Sequence, residues 1–488
     1  MSLDGRKRWL ALLVLCFGDL MIVLDATIVN VALPSIRADL GFSETSLAWV
    51  VNAYLITFGG FLLLGGRLGD LFGHRRLFLI GLSLFTLASL ACGLATSQEF
   101  LVGARAVQGL GGALVSVVAL SLTMIMFTEP AERAKAMGIF GFVLSGGGTT
   151  GVLLGGVLTD LLSWNWIFLV NIPVGAAVVA LSLVLLPAER GPAEGGLDIA
   201  GAVTVTASLM VAVYAIVNGN ETGWTAGETI GLLAAAAVLL ALFLVIEARA
   251  RSPLVPLGLF RLRNVSTANV IGILMAGGMF AAFFLSALYL QQVLGYTPLE
   301  VGLAYLPSTL IWGTASFALS DKLVMRFGIK PPLVTGLSLM AIGILLFARA
   351  PVDGSFAVDV LPAMVLQGFG AGIGFNPILL AAMSDVKPSE SGLASGVVNT
   401  SFMMGGALGL AVIASLAVSR TDALLASGDG QLAALTGGYH VGFLVGAVFT
   451  AAAVVLASAL LRGTSGAPAH EERPHSAEAA PAGAGVRD

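Results

Sequence analysis

The sequence predicts an all-α integral membrane protein with two six-helix bundles and two additional helices between them. Its 488 residues are 57% hydrophobic and 11% charged, whereas soluble domains carry about 25% charged residues. A soluble chain with a mean hydropathy of +0.96 would expose more apolar surface than water tolerates. The two cysteines, Cys16 and Cys92, match no metal-site spacing and predict no disulfide framework.

Fourteen apolar segments are long enough to cross a bilayer, which takes about 20 residues. The first stays apolar to Val31 without a clear small-residue cleavage site, so we interpret it as an uncleaved span. The predicted spans are 9–32, 47–65, 77–95, 100–125, 136–159, 164–186, 200–219, 228–246, 265–291, 299–320, 332–349, 358–383, 391–418 and 439–461.

The basic residues predict the orientation of these spans, because Lys and Arg accumulate on the cytoplasmic side. With the N-terminus inside, 18 of the 24 Lys and Arg residues fall in cytoplasmic segments. Three fall in outer loops: Arg37, Arg349 and Arg420. A missed span would scramble this distribution, so it also supports the number of spans and places both termini in the cytoplasm.

One charged loop occurs twice, once after the second span of each six-span half. "GRLGDLFGHRR" at 66–76 is similar to "DKLVMRFGIKP" at 321–331, although Met325 replaces Asp70 in the second copy. Duplicated halves are typical of transporters built from related repeats. The predicted domains are therefore an N-terminal bundle (1–186), two linker helices with their loops (187–264), a C-terminal bundle (265–462) and a disordered tail (463–488), the last because it is rich in Ala, Pro and charge.

Six motifs in the expected order make the chain resemble the major facilitator superfamily, in particular its fourteen-span drug:proton antiporters. They are "GGRLGDLFGHRR" (65–76), "LDATIVNVALP" (24–34), "RAVQGLGGA" (105–113), "GVLLGGVLTDLLSWNWIFLVNIPVG" (151–175), "LYLQQVLGYTPLEVGLAYLP" (288–307) and "SGLASGVVNTSFMMGGALG" (391–409). The resemblance implies the major facilitator fold and proton-driven export of drugs or antibiotics by alternating access.

The chain departs from the family pattern at three positions. Val152 stands where the antiporter motif has proline, and valine restores a backbone hydrogen bond that proline would remove. The close-packing glycines Gly151, Gly155 and Gly156 remain. Asn165 replaces a basic residue between two tryptophans, and Asp19 replaces a small or neutral residue.

Asp25 and Arg105 are candidate proton-coupling residues. Both lie inside predicted spans, at a similar depth of roughly 10 Å below the outer interface at 1.5 Å per residue. A charge at mid-bilayer costs about 2.5–3.5 kcal/mol or more, so such residues face a cavity or a partner. Asp25 either exchanges a proton beside the fixed charge of Arg105, as the family resemblance implies, or forms a static ion pair that locks two helices.

Asp19 lies deeper than Asp25 and about 120° around the same helix, so the two carboxylates do not share a face. Three interpretations stay open for it. It is a second proton site, a site for a cationic substrate, or a carboxylic acid kept neutral by desolvation and a local hydrogen bond.

The charged loop has a topological and a functional interpretation. Its arginines, Arg75 and Arg76 among them, hold the loop in the cytoplasm, and the family resemblance implies that they also contribute to a latch. Topology does not explain Asp70 or the glycines Gly66 and Gly73. The family resemblance implies that this loop latches the two halves together in the outward-facing state.

Seven further residues are candidates for a substrate pocket, because they are polar or aromatic and lie in or near spans. Each polar one is also typical of a plain helix–helix hydrogen bond. They are Asn30, Tyr54, Gln108, Phe280, Gln291, Asn376 and Asn399.

The sequence carries no phosphate-binding loop and no His-Glu-x-x-His motif. We therefore expect a monomeric secondary transporter of the inner membrane, not an enzyme, with a proton gradient in place of a cofactor and no nucleic-acid partner. The alternatives are an exporter of one metabolite (a siderophore, an amino acid or a self-made antibiotic), a proton-symporting importer and a sensor that no longer transports.

Overall fold

The structure, a computed structural model, describes residues 5–127, 129–186, 198–250, 253–384, 386 and 391–461. The predicted disordered tail therefore lies outside the described residues. Within these residues, fourteen long helices follow one another, and we label them α1 to α14. Their bounds are Gly5–Leu40, Trp49–Phe72, His74–Gly93, Gln98–Met126, Pro130–Leu161, Asn171–Leu185, Ile199–Thr222, Gly227–Arg249, Arg263–Leu288, Pro298–Ala315, Lys330–Phe347, Leu361–Met383, Ser391–Ala426 and Gln431–Leu460.

Each predicted span coincides with one of these helices, which confirms the predicted fold class. Within the described residues, twelve helices are long and apolar enough to cross a membrane. The other two are α10 and α5, in which the apolar stretch described is Thr150–Leu161. The predicted domain boundaries stay predictions.

Several helices are longer than the apolar segments that predicted them. The helix α1 continues to Leu40, eight residues beyond the predicted end, with Pro34 inside it. The extension is held by packing, since Ile36 is fully buried. The apolar segment in the sequence thus predicts the part of α1 that lies in the bilayer, whereas the helix itself extends further.

Helices of the first six spans pack mainly on one another. The helix α4 lies between α2 and α3, and α1 contacts α4, α5 and α6. In the last six spans, α9 packs on α13, α14 and α12, and α11 packs on α12 and α14. Between these groups the main helix pairs are α5 with α10 and α2 with α13.

The two additional helices form a hairpin on the outside of this arrangement. The helix α7 contacts α2 and α13, one from each group, and its Ile216 carbonyl accepts a hydrogen bond from Ser415 Oγ of α13 at 3.1 Å. The helix α8 packs on α7, where Ser208 Oγ donates to the Ala236 carbonyl at 2.8 Å. The hairpin therefore contacts both groups of helices through α7.

Candidate functional site

A buried ion pair joins α1 to α4. Arg105 Nη1 donates to Asp25 Oδ2, and both side chains are fully buried. Each charge neutralises the other, which lowers the cost of placing them at this depth. The structure thus brings together the two residues predicted for proton coupling.

Neutral side chains from two helices, α4 and α6, complete the coordination of Asp25. Gln108 Nε2 donates to Asp25 Oδ1 at 2.6 Å and to Ser89 Oγ at 2.8 Å. Asn171 Nδ2 of α6 reaches the same carboxylate oxygen at 3.5 Å. Both Asp25 oxygens therefore have donors, and Gln108, predicted as a pocket residue, belongs to this network.

Arg105 has further partners besides Asp25. Its Nε donates to the Val50 carbonyl at 2.9 Å, and Nη1 also donates to Gln108 Oε1 at 2.7 Å. The guanidinium carbon lies 4.4 Å from the centroid of the Tyr54 ring and 5.6 Å from that of Phe168. Cation–π contacts of this kind stabilise a desolvated cation. Arg105 would consequently keep several interactions if Asp25 became neutral.

Glycines of the "RAVQGLGGA" motif let α4 approach its neighbours closely enough to place Arg105. A Cβ at Gly109 would collide with the Tyr54 carbonyl oxygen of α2. A Cβ at Gly111 would lie 2.6 Å from the Phe85 nitrogen of α3. These contacts between backbones fix α4 between α2 and α3, with Arg105 and Gln108 directed at Asp25.

A cavity of about 140 Å³ lies beside Asp25, between α1, α5 and α6. Asp25 and Asn171 supply its polar groups, and the rest of the lining is apolar, including Leu20, Leu24 and Leu154. Phe17, at its edge, is 51% exposed. Asp25 thus lies in the wall of this cavity, whose lining residues come from α1, α5, α6 and the segment just before α6. None of the seven pocket candidates lines this cavity.

Asp19 is also buried and receives a hydrogen bond from Ser116 Oγ of α4. Both carboxylates of α1 therefore contact α4, although they lie about 120° apart on α1. The sequence analysis placed them on different faces of α1 and did not anticipate that one neighbouring helix supplies partners to both. Ser116 is eleven residues after Arg105, so the two contacts lie at different depths along α4.

The glycines of the antiporter motif place α5 against both halves of the molecule. A Cβ at Gly155 would lie 2.8 Å from the Ile28 carbonyl oxygen of α1. A Cβ at Gly156 would lie 2.6 Å from the Pro298 carbonyl oxygen of α10. Gly151 faces Leu24 of α1 in the same way. The motif therefore connects the helix that carries Asp25 to the opposite half.

Side chains at the predicted outer end connect α1 to the π-helical turn Tyr289–Val293 that follows α9. Gln291 Nε2 donates to the Val31 carbonyl at 2.9 Å. Gln292 Oε1 accepts from Arg37 Nη1 at 3.3 Å and from Tyr439 OH at 3.0 Å. The Gln291–Val31 and Arg37–Gln292 bonds join the two halves at that end, whereas the Tyr439 bond lies within the C-terminal half. Gln291, predicted as a pocket residue, makes one of them.

The remaining pocket candidates have separate partners. Asn30 Nδ2 donates to the Ala26 carbonyl of its own helix at 3.2 Å, and Asn376 Nδ2 reaches Ser316 Oγ at 3.4 Å. Phe280 packs edge-on against Phe402, with ring centroids 6.0 Å apart. Asn399 is partly buried. The structure does not gather the seven candidates into one pocket.

Both copies of the repeated loop form the same helix–glycine–helix connection. Gly73, between α2 and α3, has φ +91°, and Gly328, before α11, has φ +78°. Other residues rarely adopt this left-handed conformation. Arg75 Nη2 donates to the Leu183 carbonyl of α6, within the N-terminal half, while Arg76 is exposed. A Cβ at Gly66 would lie 3.0 Å from Val117 Cγ1 of α4.

The latch role of Asp70, whose side chain lies outside the described part of the chain, stays a prediction with a direct test. Asp70→Asn removes one charge and almost no volume. If Asp70 holds the cytoplasmic side closed, its loss removes about 1–3 kcal/mol of pairing. That shifts the two conformations roughly five- to 150-fold towards the inward-facing one and slows turnover at normal expression. Cysteine-accessibility labelling from both sides of the membrane measures the shift.

Met325→Ala, at the matching position of the second copy, is the control and should change labelling much less. Equal labelling and equal transport in wild type and Asp70→Asn would leave the loop with a topological role alone.

Ser89, Ser116 and Gln292 take part in these contacts but escaped the sequence analysis. Ser116 and Gln292 are uncharged and resemble many other polar residues in apolar helices. Their partners are 97 and 147 residues away along the chain, so no local pattern signals them. One feature of the sequence could have indicated Gln292, namely its position beside Gln291 in a family motif.

Comparison with known proteins is consistent with this architecture. The profile of the Major Facilitator Superfamily matches residues 15–410. The chain is 37% identical over 457 residues to the puromycin resistance protein pur8 of Streptomyces alboniger, covering 93% of this chain and 90% of the relative. It is 37% identical over 453 residues to the cephamycin export protein CmcT of Amycolatopsis lactamdurans, covering 92% of each.

A solved structure with the same fold is that of a bacterial homologue of the human lysosomal transporter Spinster, in an inward-facing and unoccupied conformation. It superposes with a TM-score of 0.65 at 17% identity and covers 93% of this chain and 97% of that one. The profile spans most of the chain, and the relatives extend over nearly all of it. The chain therefore belongs to the Major Facilitator Superfamily and is a multi-pass membrane transporter.

Proposed function

We propose that the protein exports drugs or antibiotics across the inner membrane in exchange for protons, by alternating access. The fully buried Asp25–Arg105 pair beside a cavity is the observation that carries the proton coupling. The direction of transport is supported by the relatives, whose names refer to puromycin resistance and cephamycin export. Both termini are cytoplasmic, the unit is a monomer, and the proton gradient takes the place of a cofactor.

Protonation of Asp25 would remove the charge that holds Arg105 Nη1, while Gln108, the Val50 carbonyl and the Tyr54 ring would retain the guanidinium. The attraction between α1 and α4 would then weaken without leaving Arg105 entirely unpartnered. Because a buried charge without any partner is costly, this second set of contacts makes the neutral state of Asp25 accessible.

A change in the position of α1 can reach the other half through α5. Gly151 and Gly155 of α5 contact α1, and Gly156 contacts α10. At the outer end, α1 is also tied to the C-terminal half by the Gln291–Val31 bond. We propose that proton binding at Asp25 alters these contacts between the halves and so biases the exchange between inward- and outward-facing states.

The experiment that tests this function is a growth assay in a bacterial host deleted for its own pumps, with puromycin, a cephamycin, lincomycin and ethidium as the panel. Expression should raise tolerance to at least one compound, and a proton uncoupler should abolish intracellular exclusion of that compound. Protection against one compound alone would identify a dedicated exporter. Protection that persists with the uncoupler, or increased sensitivity caused by uptake, would contradict proton-coupled export.

A further inference from the structure

Two acidic side chains are buried together where the α7–α8 hairpin meets the segment that leads to α9. Asp198 directly precedes α7, and its Oδ1 accepts from the Gly201 N–H at 2.7 Å. Glu247 lies in the last turn of α8, and its Oε2 accepts from the Val255 N–H at 3.1 Å. Asp198 is 8% exposed and Glu247 is 3% exposed. Neither takes part in the site around Asp25.

The second oxygen of each carboxyl group has no hydrogen-bond partner within the described part of the chain. These atoms are Asp198 Oδ2 and Glu247 Oε1. A Cβ on Gly201 would lie 2.7 Å from the first and 2.8 Å from the second. Both oxygens therefore lie over the same glycine, and the two distances limit their separation to 5.5 Å.

Among the residues that the structure describes, the surroundings offer these oxygens no compensation. The neighbouring cluster is apolar and consists of Leu64 of α2, Ala202 of α7 and Leu254, with Phe61 and Val255 packed against it. The end of α2, the start of α7, the end of α8 and residues 253–256 meet around the pair. The charged side chains that the structure describes there are Asp198, Glu247 and Arg249. Arg249 is exposed, and no described basic residue forms an ion pair with either acid.

Two negative charges this close in an apolar environment repel strongly. One proton placed between the oxygens removes this repulsion and satisfies both orphaned atoms. Small rotations of the carboxyl groups would bring the oxygens to the separation of a charge-assisted O–H···O bond, about 2.6 Å. A divalent cation suits the pair poorly, since Ca²⁺ or Mg²⁺ takes six or more oxygen ligands and the other carboxylate oxygens already accept backbone N–H groups.

We propose that Asp198 and Glu247 hold one proton between them and form a second protonation site, which fastens the α7–α8 hairpin to the segment leading into α9. Loss of that proton leaves two adjacent carboxylates, which separate and loosen the backbone bonds to Gly201 and Val255. The site is stable at lower pH and opens as the pH rises, because the closed form binds one proton more than the open form. This inference does not depend on what the protein transports.

Amide hydrogen exchange of the purified full-length protein tests the proposal. The protection factors of the Gly201 and Val255 amides, corrected for the intrinsic pH dependence of exchange, are measured from pH 5.5 to 8.5. In wild type we expect both to fall by about tenfold per pH unit once the proton is lost. In Glu247→Gln and in Asp198→Asn they should stay constant, because the new amide group donates permanently to the remaining carboxylate.

Three further variants separate the shared proton from a structural effect. Gly201→Ala places a Cβ between the oxygens and should remove the pH dependence without removing an acid, whereas Gly231→Ala, with open space around it, should not. Glu228→Gln, an exposed acid at the other end of α8, should behave as wild type. Protection that is independent of pH in wild type, or an unchanged pH dependence in Glu247→Gln, would overturn the proposal.

Discussion

In Asp25→Asn, export against a concentration gradient is expected to be lost, while movement of substrate down its gradient continues. Asparagine keeps the shape of the side chain but cannot bind and release a proton at neutral pH. The substrate can still bind and the halves can still exchange, so only the coupling disappears. The measurement is uptake into proteoliposomes, with and without an imposed pH gradient, using a compound identified in the growth assay.

The same substitution also leaves Arg105 without its anionic partner, and breaking a buried ion pair costs about 3–5 kcal/mol. Loss of transport alone would therefore not distinguish proton coupling from a static helix lock. The double variant Asp25→Asn/Arg105→Gln resolves the two. Both buried charges are absent, so thermal stability should recover, because a neutral pair can replace a buried ion pair at little cost.

If Asp25 carries the proton, the double variant is stable but still fails to export uphill. If the pair is a static lock, the double variant recovers uphill export together with stability. Asp160→Asn, the same chemical change at an exposed position near the end of α5, is the matched control and should transport as wild type. Full uphill export by Asp25→Asn itself would also contradict the role assigned to Asp25.

The ion pair was accessible to sequence analysis because charged residues inside spans are rare and costly. Only two acids, Asp19 and Asp25, and one base, Arg105, lie within the predicted spans of the N-terminal half, so the depth of Asp25 and Arg105 was informative. Gln108 could not be assigned in this way. A neutral amide costs less in a helix and appears at many positions, so its bonds to Asp25 and Arg105 emerge only from the helix packing.

Residues at the edges of spans were harder to interpret for a different reason. Asp198 and Glu247 flank the predicted spans 200–219 and 228–246, where acids are ordinarily solvated. Their burial depends on Leu254 and Val255, which pack back over the end of the hairpin. The length of α1 likewise depends on contacts with Gln292 that lie 255 residues away. Apolar patterning predicts the spans, but packing between distant segments decides where a helix ends and which acids are buried.

Arg105→Lys and Arg105→Gln are expected to reduce export strongly and to change its pH dependence. Arginine donates to Val50 and Gln108, pairs with Asp25, and lies over the Tyr54 ring at the same time. A lysine ammonium is a compact charge without the planar fork, so it cannot make these contacts together. Lysine also loses its proton more readily when desolvated, whereas arginine stays charged.

The direction of the pH effect follows from the charge beside Asp25. A permanent positive charge favours release of the proton from the carboxylate, because the anion it leaves is stabilised. In Arg105→Gln the stabilisation of the anion by this charge is absent. Asp25 should therefore retain its proton to a higher pH, and export should require a more alkaline solution on the side of the membrane where the proton is released. Arg105→Lys should lie between wild type and Arg105→Gln. Initial rates in proteoliposomes, measured over a series of internal and external pH values, give the profile, with exposed Arg420→Gln as the control for removal of one positive charge. An unshifted profile in Arg105→Gln would mean that Arg105 holds α4 against α1 and α2 without influencing proton release.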